Sequence, residues 1–471
     1  MAGLSSGRLA RALAVGTIAC AAWPFVLVPA HADSLEGALV QAYQNNPALN
    51  SQRALVRATD EGVPQALSGY RPKITANASI GEQYWDTTQK LSTTSNVYIQ
   101  QSGTMTPNGY SLTATQTLYN GFQTPNRTRQ AESQVQAARE TLRTSEQTVL
   151  LSAVTAYMNL LRDGAILDLQ RRNVEVLQEQ LRQTRDRFNV GEVTRTDVAQ
   201  SESRLAAGRS QVLSAEATYK ASVATYRQVI GVEPGKLTPG SPVDRFSPNN
   251  LPVAIGVATA THPTVTSAQY NVDAALLQVK VQEGQLYPTL SVQGAVQQSN
   301  ESSLTSLKSF NAAVLGQLSV PIYQGGAEYS LIRQAKETLG QKRLDLDTAR
   351  DQARQTVVQA WGQLEAAKGN IEATQAQVQA SEIALNGVRE EARVGQRTTL
   401  DVLNAQQELV NARVALVSAQ RDRVVASYTL LSAVGRLSPQ VLGLRVPVYD
   451  SNVHYQQVRD TWAGVRTPDG K

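Results

Sequence analysis

The residues that most often carry out catalysis are sparse in this chain. Its three histidines, His31, His262 and His454, lie far apart, and Cys20 is the only cysteine. No segment has the spacing of a metal site, a phosphate-binding loop or a Gly-x-Ser-x-Gly nucleophile turn. His262 precedes a proline, where the polarity of a loop accounts for it. We therefore expect no enzyme, no metal and no cofactor, and a secreted cell-wall hydrolase is disfavoured because it would need a catalytic cluster.

A set of polar residues recurs at a fixed spacing around two Val-Gly turns. The pattern occurs as Val190, Gly191, Thr194 and Asp197, and again as Val394, Gly395, Thr398 and Asp401. A Thr three residues before an acidic residue is typical of a helix N-cap, and the carboxylate favours the positive end of the helix. Glycine permits the left-handed turn at the end of the preceding helix. Each pattern predicts the tip of a helical hairpin.

The two tips belong to an internal duplication. Asn46-Pro47 aligns with His262-Pro263 at an offset of 216, and Asp197-Val198 aligns with Asp401-Val402 at an offset of 204. The change in offset places a 12-residue difference between Pro72 and Tyr119. A repeat of about 200 residues exceeds any solenoid unit and implies two copies of one large structural half.

The N-terminus has the pattern of a secretory signal over residues 1–32. Arg8 and Arg11 precede a largely apolar run, and Ala30-His31-Ala32 supplies a cleavage site. Lipidation of Cys20 is an alternative, although the residues before it lack the Leu that such sites prefer. The net charge of +5 over 471 residues includes the two signal arginines and makes no strong case for nucleic acid.

Each half contains alternating segments that predict strands. Apolar residues alternate with polar ones from Ile74 to Ile80, and again from Tyr110 to Ala114. The second half repeats the pattern from Leu290 and from Phe310. Each strand has about 9–12 residues, the length that a tilted strand needs to cross a membrane. We expect two strands per half, joined by loops at about 87–108 and 299–309.

Very long helices follow the strands. In the second half an apolar row recurs every seven residues, with smaller residues beside it. The row consists of Val357, Leu364, Ile371, Val378 and Leu385. Thr124-Pro125 predicts an N-cap and a first-turn proline, so the first long helix should run from there to about Phe188.

These elements define the expected organisation. The segments are a signal peptide, 1–32; a first repeat, 33–231, with a strand hairpin, 73–118, and a helical hairpin, 124–231; a linker, 232–250; a second repeat, 251–435, with a strand hairpin, 289–320, and a helical hairpin, 327–435; and an irregular tail, 436–471. Four strands from one chain cannot close a sheet, and an open edge is not tolerated in lipid. The chain should therefore oligomerise, with two, three or four copies possible from the residues alone.

The ordered set of motifs resembles the TolC family of outer-membrane efflux and type I secretion channels. The resemblance covers roughly residues 33–440, and its most specific pieces are Ser319-Val320-Pro321-Ile322-Tyr323-Gln324-Gly325-Gly326 and the paired Val-Gly turns. It implies a mixed α and β membrane protein, a homotrimer in which long coiled-coil helices form an α-barrel tunnel continuous with a 12-stranded β-barrel. It further implies an export channel in the outer membrane that opens by iris-like movement of helical hairpins. The implied partners are outer-membrane lipid, a periplasmic adaptor protein and an inner-membrane pump of the ABC or RND type.

The resemblance also assigns a pore gate to the second-half tip. Asp401 matches the first of two acidic positions that ring the pore, whereas Asn404 stands at the second and Ala392 replaces an aromatic residue. Arg397 matches a linking arginine, and Thr196 and Asp197 match the facing positions of the outer turn.

Two expectations follow from this assignment. Three copies of Asp401 would form an anionic ring whose mutual repulsion raises each pKa and whose field favours cations. The two Val-Gly turns, with Thr194 and Thr398, would form the adaptor-docking tips. A soluble periplasmic coiled-coil adaptor or scaffold remains the alternative, although it would not need alternating strand hairpins.

Overall fold

The structure is a computed structural model that describes residues 34–303, 306–468 and 470. The predicted signal peptide, 1–32, lies outside the described residues. Long helices dominate the fold, and strands occur in two clusters that precede the two longest helices. This order confirms the predicted mixed α and β class.

The helices repeat in a similar order in the two halves. Their bounds are α1 Leu35–Asn45, α2 Pro47–Asp60, α3 Gly62–Leu67, α4 Gln123–Asn189, α5 Arg195–Ile230, α6 Leu251–Thr261, α7 Pro263–Glu283, α8 Ala327–Arg393, α9 Thr399–Ala433, α10 Pro439–Leu442 and α11 Ser451–Val458. Asn46 and His262 are the N-cap residues of α2 and α7, and each side chain accepts a hydrogen bond from the backbone N–H two residues on. None of the helices in the described ranges is both long and apolar enough to cross a membrane.

Two helical hairpins extend from the strand region. We call α4 with α5 the outer hairpin, and α8 with α9 the inner hairpin. α4 and α8 each have 67 residues, which at about 1.5 Å per residue gives rods of about 100 Å. Val357, Leu364 and Leu385 of the predicted seven-residue row are buried, as are several small residues beside them. The heptad prediction is therefore confirmed, and the hairpin tips lie one helix length from the strands.

Within the described residues, the strands form one four-stranded antiparallel sheet and a separate two-stranded one. Their bounds are β1 Lys73–Ile80, β2 Gln83–Lys90, β3 Tyr98–Met105, β4 Asn108–Asn120, β5 Thr289–Ser303 and β6 Ser306–Ser319. The larger sheet has the order β1-β4-β5-β6, so β4 of the first half pairs with β5 of the second. The duplication is thus joined through backbone hydrogen bonds at the sheet.

One face of the larger sheet is apolar and open. The register aligns Ala76 with Leu112, Leu112 with Val296, and Val296 with Ala312, so an apolar row crosses all four strands. Neighbouring apolar side chains on this face are exposed, among them Tyr110. A continuous exposed apolar surface is typical of contact with lipid or with another protein.

The expected loop at 87–108 is wrong, because the structure has a second hairpin there. β2 and β3 pair from Gln83 with Met105 to Lys90 with Tyr98, and a turn follows at 91–97. Most side chains along this hairpin are polar on both faces, so the sequence lacks the apolar alternation that reveals a half-buried strand. The loop at 299–309 is also shorter than expected, because β5 reaches Ser303 and β6 begins at Ser306.

The first long helix begins one residue before Thr124, close to its predicted start, but the predicted N-cap role of Thr124 is wrong. α4 begins at Gln123, and its N-cap residue is Phe122, with a left-handed φ of 60° and no capping side chain. Asn120 instead holds the turn, since its Nδ2 donates to Thr124 Oγ1 at 2.8 Å. Thr124 is thus already in the first turn.

The C-terminal segment is not an irregular tail, because α10 and α11 form within it. His454 of α11 lies 3.0 Å from the buried carboxylate of Asp60 in α2. Arg139 of α4 donates to the Asn452 side chain at 2.7 Å. These long-range contacts hold the segment against the helical core, which a single-sequence pattern does not reveal.

Candidate functional site at the hairpin tips

The outer tip is a tight turn between α4 and α5. Gly191 adopts a φ of 83°, in the left-handed region that residues with a Cβ avoid. Its N–H donates to the carbonyl of Phe188 at 3.0 Å, and the N–H of Glu192 donates to the carbonyl of Arg187 at 2.9 Å. These bonds satisfy the last carbonyls of α4.

The inner tip repeats this geometry between α8 and α9. Gly395 adopts a φ of 81°, and its N–H donates to the carbonyl of Ala392 at 3.2 Å. The N–H of Gln396 donates to the carbonyl of Glu391 at 2.9 Å. The two tips therefore have the same backbone turn, as the repeated Val-Gly pattern predicts.

A capping box opens the helix that leaves each tip. In the inner tip, the N–H and hydroxyl of Thr398 donate to Asp401 Oδ2 at 3.0 and 2.9 Å, and the Asp401 N–H donates to Thr398 Oγ1 at 3.2 Å. Thr194 and Asp197 make the same three bonds in the outer tip, at 2.9, 2.7 and 3.3 Å. The predicted capping roles of both pairs are confirmed.

The capping hydrogen bonds determine the direction in which the pKa of Asp401 shifts. The hydrogen bonds from the backbone and side chain of Thr398 lower the pKa of the Asp401 carboxyl, and the charge of Arg397 lowers it further. The sequence-based expectation is a raised pKa from repulsion among three copies. Within one protomer the capping bonds act in the opposite direction, so the carboxylate stays ionised in acid more readily than an ordinary aspartate.

Arg397 is held within its own tip. Its Nε lies 2.9 Å from Glu391 Oε2, at the end of α8. The outer tip has a comparable pair, in which Arg187 Nε lies 3.0 Å from Glu192 Oε2. Each tip thus carries an Arg–Glu pair that braces the turn, and the partner Glu391 is a residue that the motif comparison misses.

The two remaining gate candidates, Asn404 and Thr196, lie near the starts of α9 and α5. Asn404 accepts a hydrogen bond from Nη2 of Arg204 in α5 at 2.6 Å, so it contacts the outer hairpin of its own protomer. Thr196 is exposed in the first turn of α5. The candidates of the first and second halves are therefore brought to one end of the molecule.

A groove of about 820 Å³ separates the two tips. Its lining is mainly charged or polar, and the charged residues include Arg187, Asp197, Arg393 and Arg397. Beside it, Val190 and Val394 project from the turns with 72% and 71% of their surface exposed. An exposed apolar residue rimmed by charged groups is typical of a protein-docking surface.

The motif comparison also misses the polar contacts of Gln406, one to the outer hairpin and one within the inner hairpin. Gln406 Nε2 donates to Asn173 Oδ1 at 3.4 Å, and both residues are buried. Gln406 Oε1 accepts from Nη2 of Arg389 at 3.0 Å. The sequence points to Gln406 only when the two halves are aligned. In that alignment Gln406 stands where the first half has Glu202, so an amide replaces a carboxylate.

Comparison with known proteins gives consistent results along most of the chain. The sequence profile of the family described as "Outer membrane efflux protein" matches residues 38–232 and 254–436. The outer membrane efflux protein BepC of Brucella suis is 44% identical over 440 residues, which are 93% of each chain. The outer membrane protein TolC of Escherichia coli K12 is 28% identical over 426 residues, 86% of this chain and 83% of that protein.

A solved structure agrees in fold. The Campylobacter jejuni CmeC outer membrane channel superposes with a TM-score of 0.75 at 16% identity, covering 90% of this chain and 89% of that one.

Proposed function

The chain belongs to the outer membrane efflux protein family, and we propose from that premise that it forms a homotrimeric channel-tunnel whose gate is at the hairpin tips. As a member of this family it is an outer-membrane export channel. The rival interpretation, a soluble periplasmic adaptor, is not supported by the family match. Movement of the inner hairpins away from the tunnel axis would open the passage in this proposal.

The observation that carries the proposal is the placement of two matching tips one long helix away from an open apolar sheet. The sheet face, with its row from Ala76 to Ala312, suits outer-membrane lipid. The two edge strands of the larger sheet, β1 and β6, each pair with a neighbouring strand on one side only in the described chain. Three copies would pair these edges and supply twelve strands, an even number in the range of outer-membrane proteins.

The tips are proposed as the docking surface for a periplasmic adaptor and, through it, an inner-membrane pump of the ABC or RND type. Support comes from the exposed valines, Val190 and Val394, and from the charged groove between them. The cargo would pass from the periplasm or the pump to the outside. Proteins and small toxic compounds are both compatible with a tunnel of this kind.

Asp401 is proposed as the charge that selects cations at the gate. Its capped carboxylate remains ionised at neutral pH and sits in the first turn of α9, next to the turn itself. Asn404 adds no charge, so selectivity would depend mainly on Asp401. Arg397 is proposed to stabilise the closed tip through Glu391, its partner at 2.9 Å.

The experiment that tests the proposed function is complementation of export. A strain that lacks its own channel is supplied with this gene, and efflux of a preloaded fluorescent dye is followed with time. We expect the wild-type gene to restore efflux, and the same gene truncated before α8 to fail. Expression in the outer membrane without restored efflux of dye or of a secreted protein would contradict the proposal.

A further inference from the structure

The helix α11, near the end of the chain, is docked on helices of the first half. Its Val458 is buried, and its Tyr455 packs against the buried Val63 of α3 and Val135 of α4. The guanidinium carbon of Arg139 in α4 lies 5.2 Å from the centre of the Tyr455 ring. Since α11 is held from several sides, the residues that follow it begin from a fixed position.

The turn after α11 places Trp462 beside Arg71. The N–H of Thr461 donates to the carbonyl of Val458 at 3.1 Å, and its hydroxyl donates to the carbonyl of Gln457 at 3.1 Å. Arg71 Nη1 donates to the carbonyl of Thr461 at 2.7 Å, and the Arg71 guanidinium carbon lies 4.7 Å from the centre of the Trp462 ring. A cation over the face of an indole is attracted by the ring. Trp462 is therefore held in place although 71% of its surface is exposed.

Arg71 lies where the helices meet the sheet. It stands two residues before β1, and Ile74 is the first exposed apolar residue of that strand. Four other aromatic side chains are exposed at this junction, each within four residues of the end of a strand: Tyr70, Phe122, Tyr287 and Tyr323. Tryptophan and tyrosine concentrate at membrane–water interfaces, because the ring is apolar and its polar group stays in water. Trp462 thus lies at the level where the apolar face of the sheet ends.

The charges around Trp462 suit the phosphate groups of lipid. In the part of the chain that the structure describes, no carboxylate pairs with Arg71 or with Lys73, the first residue of β1. Arg459 and Asp460, both exposed in the turn after α11, offset each other. The indole N–H of Trp462 has no acceptor among the described residues, so it is free to donate to an oxygen of a headgroup. Arginine is well suited to phosphate because its N–H groups donate in pairs.

We propose that Trp462 and Arg71 form an interfacial anchor, which binds phospholipid headgroups in the leaflet of the outer membrane nearest the helices. This proposal rests on the proposed function, in which the apolar face of the sheet lies in lipid. Continuity with that face and the excess of positive charge favour lipid over a second copy of the chain as the occupant. The indole lies among the headgroups, and the fully exposed Val465 adds apolar contact. Because α11 is docked on α4, the anchor fixes the height of the long helices relative to the membrane.

The anchor is tested through the fluorescence of Trp462. After the predicted signal peptide the chain contains Trp85, Trp361 and Trp462. Trp85→Phe with Trp361→Phe leaves Trp462 as the reporter, whereas Trp85→Phe with Trp462→Phe leaves Trp361 as the control. Trp361 lies about 50 Å along α8 from its first residue, at about 1.5 Å per residue, and is beyond the reach of lipid.

The protein purified from outer membranes is reconstituted into vesicles of phosphatidylethanolamine and phosphatidylglycerol. One set of vesicles contains lipids brominated near the headgroup, and another contains lipids brominated near the end of the acyl chain, because bromine quenches indole fluorescence on contact. Conductance of the same preparations is recorded in planar bilayers.

We expect bromine near the headgroup to lower the emission of Trp462 about twofold, bromine near the chain end to lower it less, and neither to change the emission of Trp361. Arg71→Ala, made in the protein that retains only Trp462, should weaken the quenching because the ring loses the cation and Thr461 loses its hydrogen bond. Arg459→Ala is the matched control, since it removes the same charge from the same surface and leaves both contacts of Arg71 in place. It should keep the quenching unchanged.

The outcomes separate the anchor from the proposed function. Conducting channels in which Trp462 is quenched no more than Trp361 overturn the anchor, leave the export function standing and indicate that water or a neighbouring protomer surrounds the ring. Stronger quenching by bromine at the chain end also overturns the anchor, because the ring would then lie in hydrocarbon. Equal quenching in Arg71→Ala and its parent overturns the role of Arg71. Quenching near the headgroup without any conductance supports the anchor and contradicts the channel, and the absence of both overturns both.

Discussion

Replacement of Thr398 by Ala isolates the link between helix capping and the charge of Asp401. The hydroxyl of Thr398 accepts from the Asp401 N–H at 3.2 Å and donates to the Asp401 carboxylate at 2.9 Å. Thr398→Ala deletes both bonds and leaves the carboxylate in place. Thr194→Ala is the matched control, because Thr194 makes the same bonds to Asp197 in the outer tip.

Two effects follow from the lost hydroxyl. An N-cap threonine contributes about 1 kcal/mol to its helix, so the first turn of α9 should open about fivefold more often. The bond from the Thr398 backbone N–H is the largest cause of the lowered pKa of Asp401 and persists in the variant, whereas the bond from the Thr398 hydroxyl, the second cause, is lost, so the pKa rises part of the way toward its ordinary value. An acid with a lowered pKa in the folded protein is charged above that pKa and loses its charge as the pH falls through it. Asp401 should therefore lose its charge at a lower pH in the wild type than in Thr398→Ala.

The assay combines hydrogen exchange with single-channel recording. Exchange in the first turn of α9 should rise about fivefold in Thr398→Ala, and exchange in the first turn of α5 should rise to a similar extent in Thr194→Ala. The cation preference, recorded over a pH series, should disappear at a higher pH in Thr398→Ala than in the wild type, and Thr194→Ala should leave that pH unchanged. An identical pH dependence in wild type and Thr398→Ala would refute the reasoning that capping sets the charge at the gate.

Three further outcomes are expected. Gly191→Val and Gly395→Val should each strain a turn, with a φ of 83° or 81°, by about 1–2 kcal/mol. Each variant should impair export, while its oligomers persist on unboiled gels. Unimpaired export with both glycines replaced would count against the tips as docking sites. Leu364→Ala should lower the stability of the inner hairpin by about 2–5 kcal/mol, because Leu364 is buried, and a thermal unfolding midpoint equal to that of the wild type would disprove the packing. Arg397→Ser and Glu391→Gln should both raise the mean conductance, because they break the same 2.9 Å pair, and a larger effect of the double variant than of either change alone would show that the two residues act separately.

The long-range architecture could be predicted because its signals are periodic or repeated. The row that includes Val357 and Leu364 predicts the long inner helix, and both residues are buried. Thr398 and Asp401 lie three residues apart, and a capping box depends only on such local spacing. The duplication strengthens this prediction, because the same spacing of Thr and Asp recurs in both halves.

The elements that could not be predicted depend on contacts distant in sequence or on weak patterns. The β2–β3 hairpin has polar residues on both faces, so period-two alternation is missing. α11 is held by the contact of His454 with Asp60, 394 residues away in the chain. The bond between Arg204 and Asn404 spans 200 residues, and neither side chain is unusual for an exposed helix.

For Asp401 the sequence predicts the capping role correctly but accounts for only part of what sets the pKa of its carboxyl group. Its position after Thr398 predicts capping, and the capping bonds are present. The expected rise in pKa considered only the repulsion among copies of the chain. The local hydrogen bonds that lower the pKa become evident once the carboxylate is seen to accept from both the backbone and the side chain of Thr398.

The central claim, a cation-selective export channel gated at the tips, is tested most directly by the reversal potential of purified oligomers in a planar bilayer. In a tenfold gradient of potassium chloride, an ideally cation-selective pore reverses at about 59 mV from zero. We predict discrete conductance steps for the wild type and a reversal potential displaced toward that limit, with the displacement much reduced in Asp401→Asn. Discrete steps with the same reversal potential in both proteins would contradict the role of Asp401, and the absence of any steps would contradict the channel itself.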